Sequence, residues 1–104
     1  MPVRVSVRSS AWEGRARAIK QLLVELGHHE RVYGPKERSG FVLAGTGDAV
    51  VVYWDDSKYF LNEEKARRQL AFCERIRPAL EKRFRGHVVP RRYGTNIGIE
   101  IGPA

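Results

Sequence analysis

The chain has 104 residues, of which 42% are hydrophobic and 10% aromatic, and this composition is too apolar for a wholly disordered protein. Nineteen Lys and Arg stand against twelve Asp and Glu, which gives a formal charge of +7. The longest apolar run, residues 49–54, is far shorter than the roughly 20 residues of a membrane span. With a single cysteine, Cys73, no internal disulfide can form. We therefore expect one cytoplasmic domain over residues 1–104, with no membrane partner.

The first predicted element is a β-strand over residues 3–8, followed by a helix. Valines alternate with polar residues in the order Val3, Arg4, Val5, Ser6, Val7 and Arg8. A period of two is typical of a strand with one buried face. Ser10 and Glu13 then have the spacing of a capping box, and apolar residues recur at helical spacing as far as Gly27. This pattern predicts a helix over about residues 11–26.

The middle of the chain predicts a β-hairpin. Residues 41–44 and 49–54 are rich in apolar, strand-forming side chains, and the Gly-rich loop 45–48 joins them. Residues 31–33 are a candidate for a short edge strand. The strand 49–54 is apolar on both faces, since Val51 and Tyr53 alternate with three other apolar residues.

A second helix and a last strand complete the prediction. The helix begins at Asn62 and runs to about residue 85, with Pro78 predicting a kink. Its apolar stripe comprises Ala66, Leu70, Cys73, Ile76, Leu80 and Phe84. Cys73 is therefore expected to be an inert core thiol. Alternating isoleucines at positions 97, 99 and 101 predict the last strand, and residues 87–93 are a candidate for a further strand.

The predicted order of elements matches an α+β fold of the ferredoxin-like, split βαβ type. Two helices would cover one face of an antiparallel sheet, and the first and last strands would be neighbours. Because helices cover only one face, the apolar strand 49–54 would present apolar side chains on the open face. Such a patch predicts a homo-oligomer, a homodimer for example, or a protein partner. Alternatively, residues 87–93 fold over it.

Basic residues are concentrated in the second half of the chain, where residues 62–94 hold ten Lys and Arg and four Glu. Arg68, Arg75 and Lys82 are spaced by seven and would form one ridge opposite the apolar stripe. Cations combined with an aromatic face are what single-strand nucleic-acid binding requires. The alternative is a solvated helix face, supported by i,i+4 pairs such as Glu64 with Arg68.

We therefore expect a basic, non-catalytic module, without a cofactor, that binds DNA or RNA mainly through phosphates. The candidate phosphate contacts are Arg4, Arg8, Arg68, Arg75, Lys82, Arg91 and Arg92, and the candidate stacking residues are Tyr53 and Tyr93. The alternating aromatics of the RNA-recognition signature are missing, since residues 38–43 supply only one of them. Phosphate contacts carry no sequence information, so weak sequence selectivity is expected.

Two other classes of function stay open. The first is an assembly or adaptor protein that self-associates, or binds a protein partner, through the open sheet face. The second is a metal-dependent phosphodiester enzyme centred on Asp55 and Asp56, which directly follow a strand. Carboxylates at such a position more often accept backbone hydrogen bonds in a turn, so we expect both to be structural. His28 and His29 are adjacent, point apart on regular structure, and are not expected to bind one metal ion together.

Overall fold

The computed structural model describes residues 3–85 and 88–102, and the side chains of residues 13–45, 47–85 and 88–102. In chain order the elements are helix α1 (Val3–Glu25), strands β1 (Gly40–Thr46) and β2 (Ala49–Asp55), helix α2 (Asn62–Arg83), and strands β3 (Val88–Tyr93) and β4 (Asn96–Ile101). The four strands form one antiparallel sheet in the order β1-β2-β4-β3. The predicted α+β class is confirmed.

Both helices pack on the same face of this sheet. Ile19 and Leu23 of α1 share one buried cluster with Ile76 and Leu80 of α2 and with inward-facing strand residues. Strands β2 and β3 are parallel to each other, because each is antiparallel to β4, which lies between them. Helix α2 connects β2 to β3, so these elements form a split βαβ unit.

The predicted strand at residues 3–8 is wrong, because these residues are the first turns of α1. Extending an existing helix adds one hydrogen bond for each residue fixed, so a short alternating segment is easily absorbed into the helix that follows. The position beside β2 is also taken, since β4 pairs with β2 on one side and with β3 on the other. The prediction that the first and last strands are neighbours is therefore also wrong, because the first predicted strand does not form.

The hairpin of β1 and β2 is confirmed, with Phe41 opposite Trp54. The candidate strand at residues 87–93 is present as β3, which forms an edge of the sheet and does not fold over it. The candidate edge strand at residues 31–33 is reduced to one isolated bridge between Val32 and Arg38. These elements leave one face of the sheet without a helix.

Helix α2 is rotated relative to the prediction. Its buried residues are Gln69, Phe72, Cys73, Ile76 and Leu80. Leu70, predicted to lie in the core, is 46% exposed. Cys73 is buried as expected, and burial raises the pKa of its thiol to about 11.

Candidate nucleic-acid interface

The open face of the sheet carries a pair of aromatic rings, Tyr53 of β2 and Tyr93 of β3. Their planes lie within 23° of parallel and their centroids are 6.1 Å apart. Both residues belong to the predicted binding set, and the structure brings them together. Tyr53 is half-buried and Tyr93 is 36% exposed.

The two tyrosine rings can approach each other across β4 because Gly98 of that strand has no side chain. Gly98 lies opposite Tyr53 on one side and opposite Arg91 of β3 on the other. A Cβ atom at Gly98 would lie 3.1 Å from the Cβ of Tyr53 and would clash with the carbonyl oxygen of Val52. The missing side chain therefore keeps the strands close and leaves room for the rings.

Arg91 adds a cation to the same face. Its Nη1 lies 3.0 Å from Oε1 of Glu100, and the Arg91 side chain is still 53% exposed, against 12% for Glu100. The carboxylate of Glu100 is largely buried, so the ion pair holds Arg91 in place on this face. The exposed half of the Arg91 side chain is the part that solvent and a further anion can reach.

The predicted apolar patch on this face is smaller than expected. Val51 points to the open side but has no exposed surface. Val42, Ala44 and Val89 are half-buried. The open face thus presents tyrosine rings and an arginine beside limited aliphatic surface.

Three other predicted contacts lie in the helical layer, on one side of α2. Arg68 and Arg75 border a groove whose lining includes buried Phe72, so they lie beside the core and not opposite it. The rotation of α2 explains this correction, because Phe72 occupies the core in place of Leu70. Lys82 is exposed near the end of the helix.

The remaining predicted contacts lie elsewhere. Arg92 is exposed on the edge strand β3, and alternation turns it away from the tyrosine face. Arg4 and Arg8 lie on α1, and their side chains are outside the described residues. The structure therefore gathers Tyr53, Arg91 and Tyr93 into one site and separates them from the cations of α2.

Several of the described cationic side chains have no anionic partner among the other described side chains. Among the described side chains, no carboxylate forms an ion pair with Arg75, Lys82, Arg83, Arg85 or Arg92. Their positive charge is therefore not neutralised within that part of the chain. This arrangement suits polyanions, whose binding releases condensed counterions.

Two aspartates at the end of β2, Asp55 in the strand and Asp56 directly after it, both form ion pairs with arginines. Oδ2 of Asp55 accepts hydrogen bonds from Arg31 Nε at 3.0 Å and from the Tyr33 hydroxyl at 2.9 Å. Asp56 accepts two hydrogen bonds from Arg68, which hold the pKa of its carboxyl below the usual range. Carboxylates paired in this way are poor starting points for a metal-dependent phosphodiester centre. No cluster of three metal-binding residues occurs among the described residues.

Gln69 is not among the predicted site residues, yet it holds the end of the sheet that carries the tyrosines. Its Nε2 donates to the carbonyl oxygen of Trp54 and to Oδ1 of Asn96, both at 2.9 Å. Its Oε1 accepts from the backbone N–H of Ile97 at 2.8 Å. The sequence holds a signal for this role, because the spacing of Phe72, Cys73, Ile76 and Leu80 centres the buried stripe on position 69.

Arg31 was also missed, and it organises the loop before β1. Its side chain is only 7% exposed and pairs with Glu37 and Asp55. It also donates to the carbonyl oxygens of Val32 and Arg38. No local sequence pattern predicts this role, because the residues that Arg31 contacts lie at unrelated separations from it along the chain.

Comparison with protein families, curated proteins and solved structures finds no match to this chain. Within the described residues, no helix is both long enough and apolar enough to cross a membrane.

Proposed function

We propose that this protein binds single-stranded nucleic acid on the open face of its sheet, as a non-catalytic module. The observation that carries the proposal is the pair of nearly parallel rings of Tyr53 and Tyr93 on that face. Nucleic-acid bases stack on such rings, and each stacked base contributes about 1–3 kcal/mol. In a duplex the base faces are already stacked on one another, so the pair favours single strands.

Charge supports the same surface. Arg91 lies on the tyrosine face, and Arg92 is exposed on the adjoining edge strand with no ion pair among the described residues. A single strand whose bases stack on the tyrosines would carry its phosphates past the guanidinium group of Arg91, and Arg92, on the other side of the edge strand, would add attraction at longer range. The formal charge of +7 adds long-range attraction for a polyanion.

Base-specific readout is not expected on this face. A stacking ring accepts any base, and phosphate contacts position a strand without reading it. The described charged groups near the tyrosines include Arg91 with its partner Glu100, and Asp55, which is paired with Arg31. We therefore expect similar affinities for DNA and RNA strands of different sequence.

The test is fluorescence anisotropy with labelled single strands and with a duplex of the same length. Tyr93→Ala should weaken single-strand binding by about tenfold, because one stacking ring is lost. Tyr59→Ala is the matched control, since Tyr59 is 87% exposed in the loop after β2, outside the sheet. Equal losses in the two variants, or no loss in Tyr93→Ala, would contradict the proposal.

Self-association through the open face remains the rival hypothesis. A dimer that buried Tyr53 and Tyr93 would compete with nucleic acid for the same surface. Sedimentation of the protein with and without a short single strand separates the two hypotheses. We expect the oligonucleotide to bind the protein directly, with no dimer that has to dissociate first. A dimer that neither dissociates nor binds when the oligonucleotide is added would favour the adaptor hypothesis.

A further inference from the structure

A second cationic site lies in the helical layer, away from the open face. A groove of about 220 Å³ is lined by His28, which follows α1, by Trp54 of β2, and by Arg68, Ala71, Phe72 and Arg75 of α2. The ring of Phe72 packs edge-on against His28, with centroids 5.2 Å apart. It also lies 5.1 Å from the ring of Trp54. The groove thus has an aromatic wall.

The charge of this groove is positive and comes mainly from one residue. Arg68 is neutralised by its two hydrogen bonds to Asp56. Arg75 has no ion pair among the described residues, and none of the six lining residues is acidic. An uncompensated guanidinium therefore stands beside flat aromatic surface.

The pKa of His28 is shifted by this environment. Burial lowers its pKa below the ordinary value of 6.5, and the charges of Arg75 and His29 lower it further. The imidazole is therefore mostly neutral at neutral pH and does not add a second positive charge to the groove. In its neutral form it can donate one hydrogen bond and accept another.

We propose that this groove binds a small organic anion in which a phosphate or a carboxylate is attached to a flat ring. Arg75 would hold the anionic group, because a guanidinium presents a fork of donors that matches two oxygen atoms. The ring would pack against Trp54 and Phe72. The groove lies on the helical side of the sheet, where Phe72 and Trp54 pack into the core, so the site is distinct from the tyrosine face.

The experiment follows the imidazole resonances of His28 by NMR while ligands are added to the full chain. The probes are phenyl phosphate, benzoate, phenol and inorganic phosphate. Saturable shifts with either of the first two, at least about tenfold tighter than with the last two, are expected because both halves of the ligand make contacts. Which of the first two binds tells whether phosphate or carboxylate is preferred. A bound anion should also raise the pKa of His28, since it offsets the charge of Arg75.

Variants locate the site. Arg75→Ala should weaken binding by about tenfold or more, and Arg75→Lys should restore part of the loss. Lys82→Ala removes an equal charge one ridge position further along α2, outside the groove, and should change affinity less than about twofold. No saturable shift at His28 with any of the four probes overturns the proposal. Equal losses in Arg75→Ala and Lys82→Ala also overturn it, because binding would then depend on net charge alone.

Discussion

Arg68 donates two hydrogen bonds to Asp56, from Nε to Oδ2 at 2.8 Å and from Nη2 to Oδ1 at 2.9 Å. The indole N–H of Trp54 donates to Oδ1 at 3.0 Å. The pair ties the loop after β2 to the second turn of α2. The pair also engages both oxygen atoms of the Asp56 carboxylate, which the sequence alone leaves as a candidate metal ligand.

The Asp56–Arg68 pair should give the protein a pH-dependent part of its stability. The lowered pKa of Asp56 means that its contribution is present above the ordinary value of 3.8 and is lost as pH falls through the lower pKa of the folded state. Asp56→Asn should lower the free energy of unfolding by about 1 kcal/mol at neutral pH, since Arg68 is partly solvated. Urea denaturation from about pH 7 to about pH 2 measures this.

Asp48→Asn is the control for that experiment, because Asp48 is exposed in the β1–β2 turn. It should change stability by less than about 0.5 kcal/mol at every pH. The difference between wild type and Asp56→Asn should shrink towards acid pH. A difference that stays constant down to about pH 2 would show that the ionised carboxylate is not what stabilises the loop.

Gln69 should be one of the most sensitive polar positions in the chain. Gln69→Leu keeps a side chain of similar size but leaves the N–H of Ile97 and the carbonyl of Trp54 without this partner. We expect a loss of about 2–4 kcal/mol in the free energy of unfolding, because buried backbone groups lose their hydrogen bonds. Gln21→Leu, at an exposed position of α1, should change stability by less than about 0.5 kcal/mol. Similar unfolding midpoints for the two variants would refute this role.

Gly98 should be intolerant of a methyl group. Gly98→Ala places a Cβ against the carbonyl of Val52 and 3.1 Å from the side chains of Val51 and Tyr53. We expect about 2 kcal/mol of destabilisation and loss of the contact between Tyr53 and Tyr93. Gly14→Ala should instead be neutral or stabilising by up to about 1 kcal/mol, since Gly14 lies in α1 with no atom within 4 Å of an added Cβ. Thermal unfolding compares the two, and equal stability of Gly98→Ala and wild type would contradict the packing.

Salt dependence should separate the tyrosine face from the ridge on α2. Replacing Arg91 and Arg92 with Ala should flatten the slope of log affinity against log salt by about 1–2, since each phosphate contact releases about 0.7 ion from a single strand. Replacing Arg75 and Lys82 removes the same charge from the helical layer and should change the slope less. The opposite order of effects would move the nucleic-acid site to α2.

Much of the fold was predictable from the sequence because its signals are local. The β1–β2 hairpin and β4 follow from alternation and loop composition, and the limits of α2 follow from its acidic first turn and the glycine after it. The strand predicted at residues 3–8 was wrong because an alternating pattern of only six residues does not outweigh the extension of the adjacent helix. Strand β3 was only a candidate because its last four residues are exposed and show no alternation in burial.

The candidate site was less predictable because it depends on long-range pairing. Tyr53 and Tyr93 could each be selected as exposed aromatics on strands, but their contact requires β4 to insert Gly98 between them. Arg68 was expected to pair with Glu64 on the same helix, and it pairs with Asp56 across a loop. Glu64 pairs with Arg67. Local spacing gives the partners that are possible, and tertiary packing selects among them.

The most direct test of the central proposal is to locate a bound single strand on the sheet. A short oligonucleotide carrying 5-iodouracil is irradiated in complex with the full chain, and the cross-linked peptides are identified by mass spectrometry. We predict cross-links to Tyr93 and Tyr53 that disappear when unlabelled single strand is added in excess. Cross-links confined to Trp54, on the helical side of the sheet, or to Tyr59, in the loop after β2, would contradict binding on the open face.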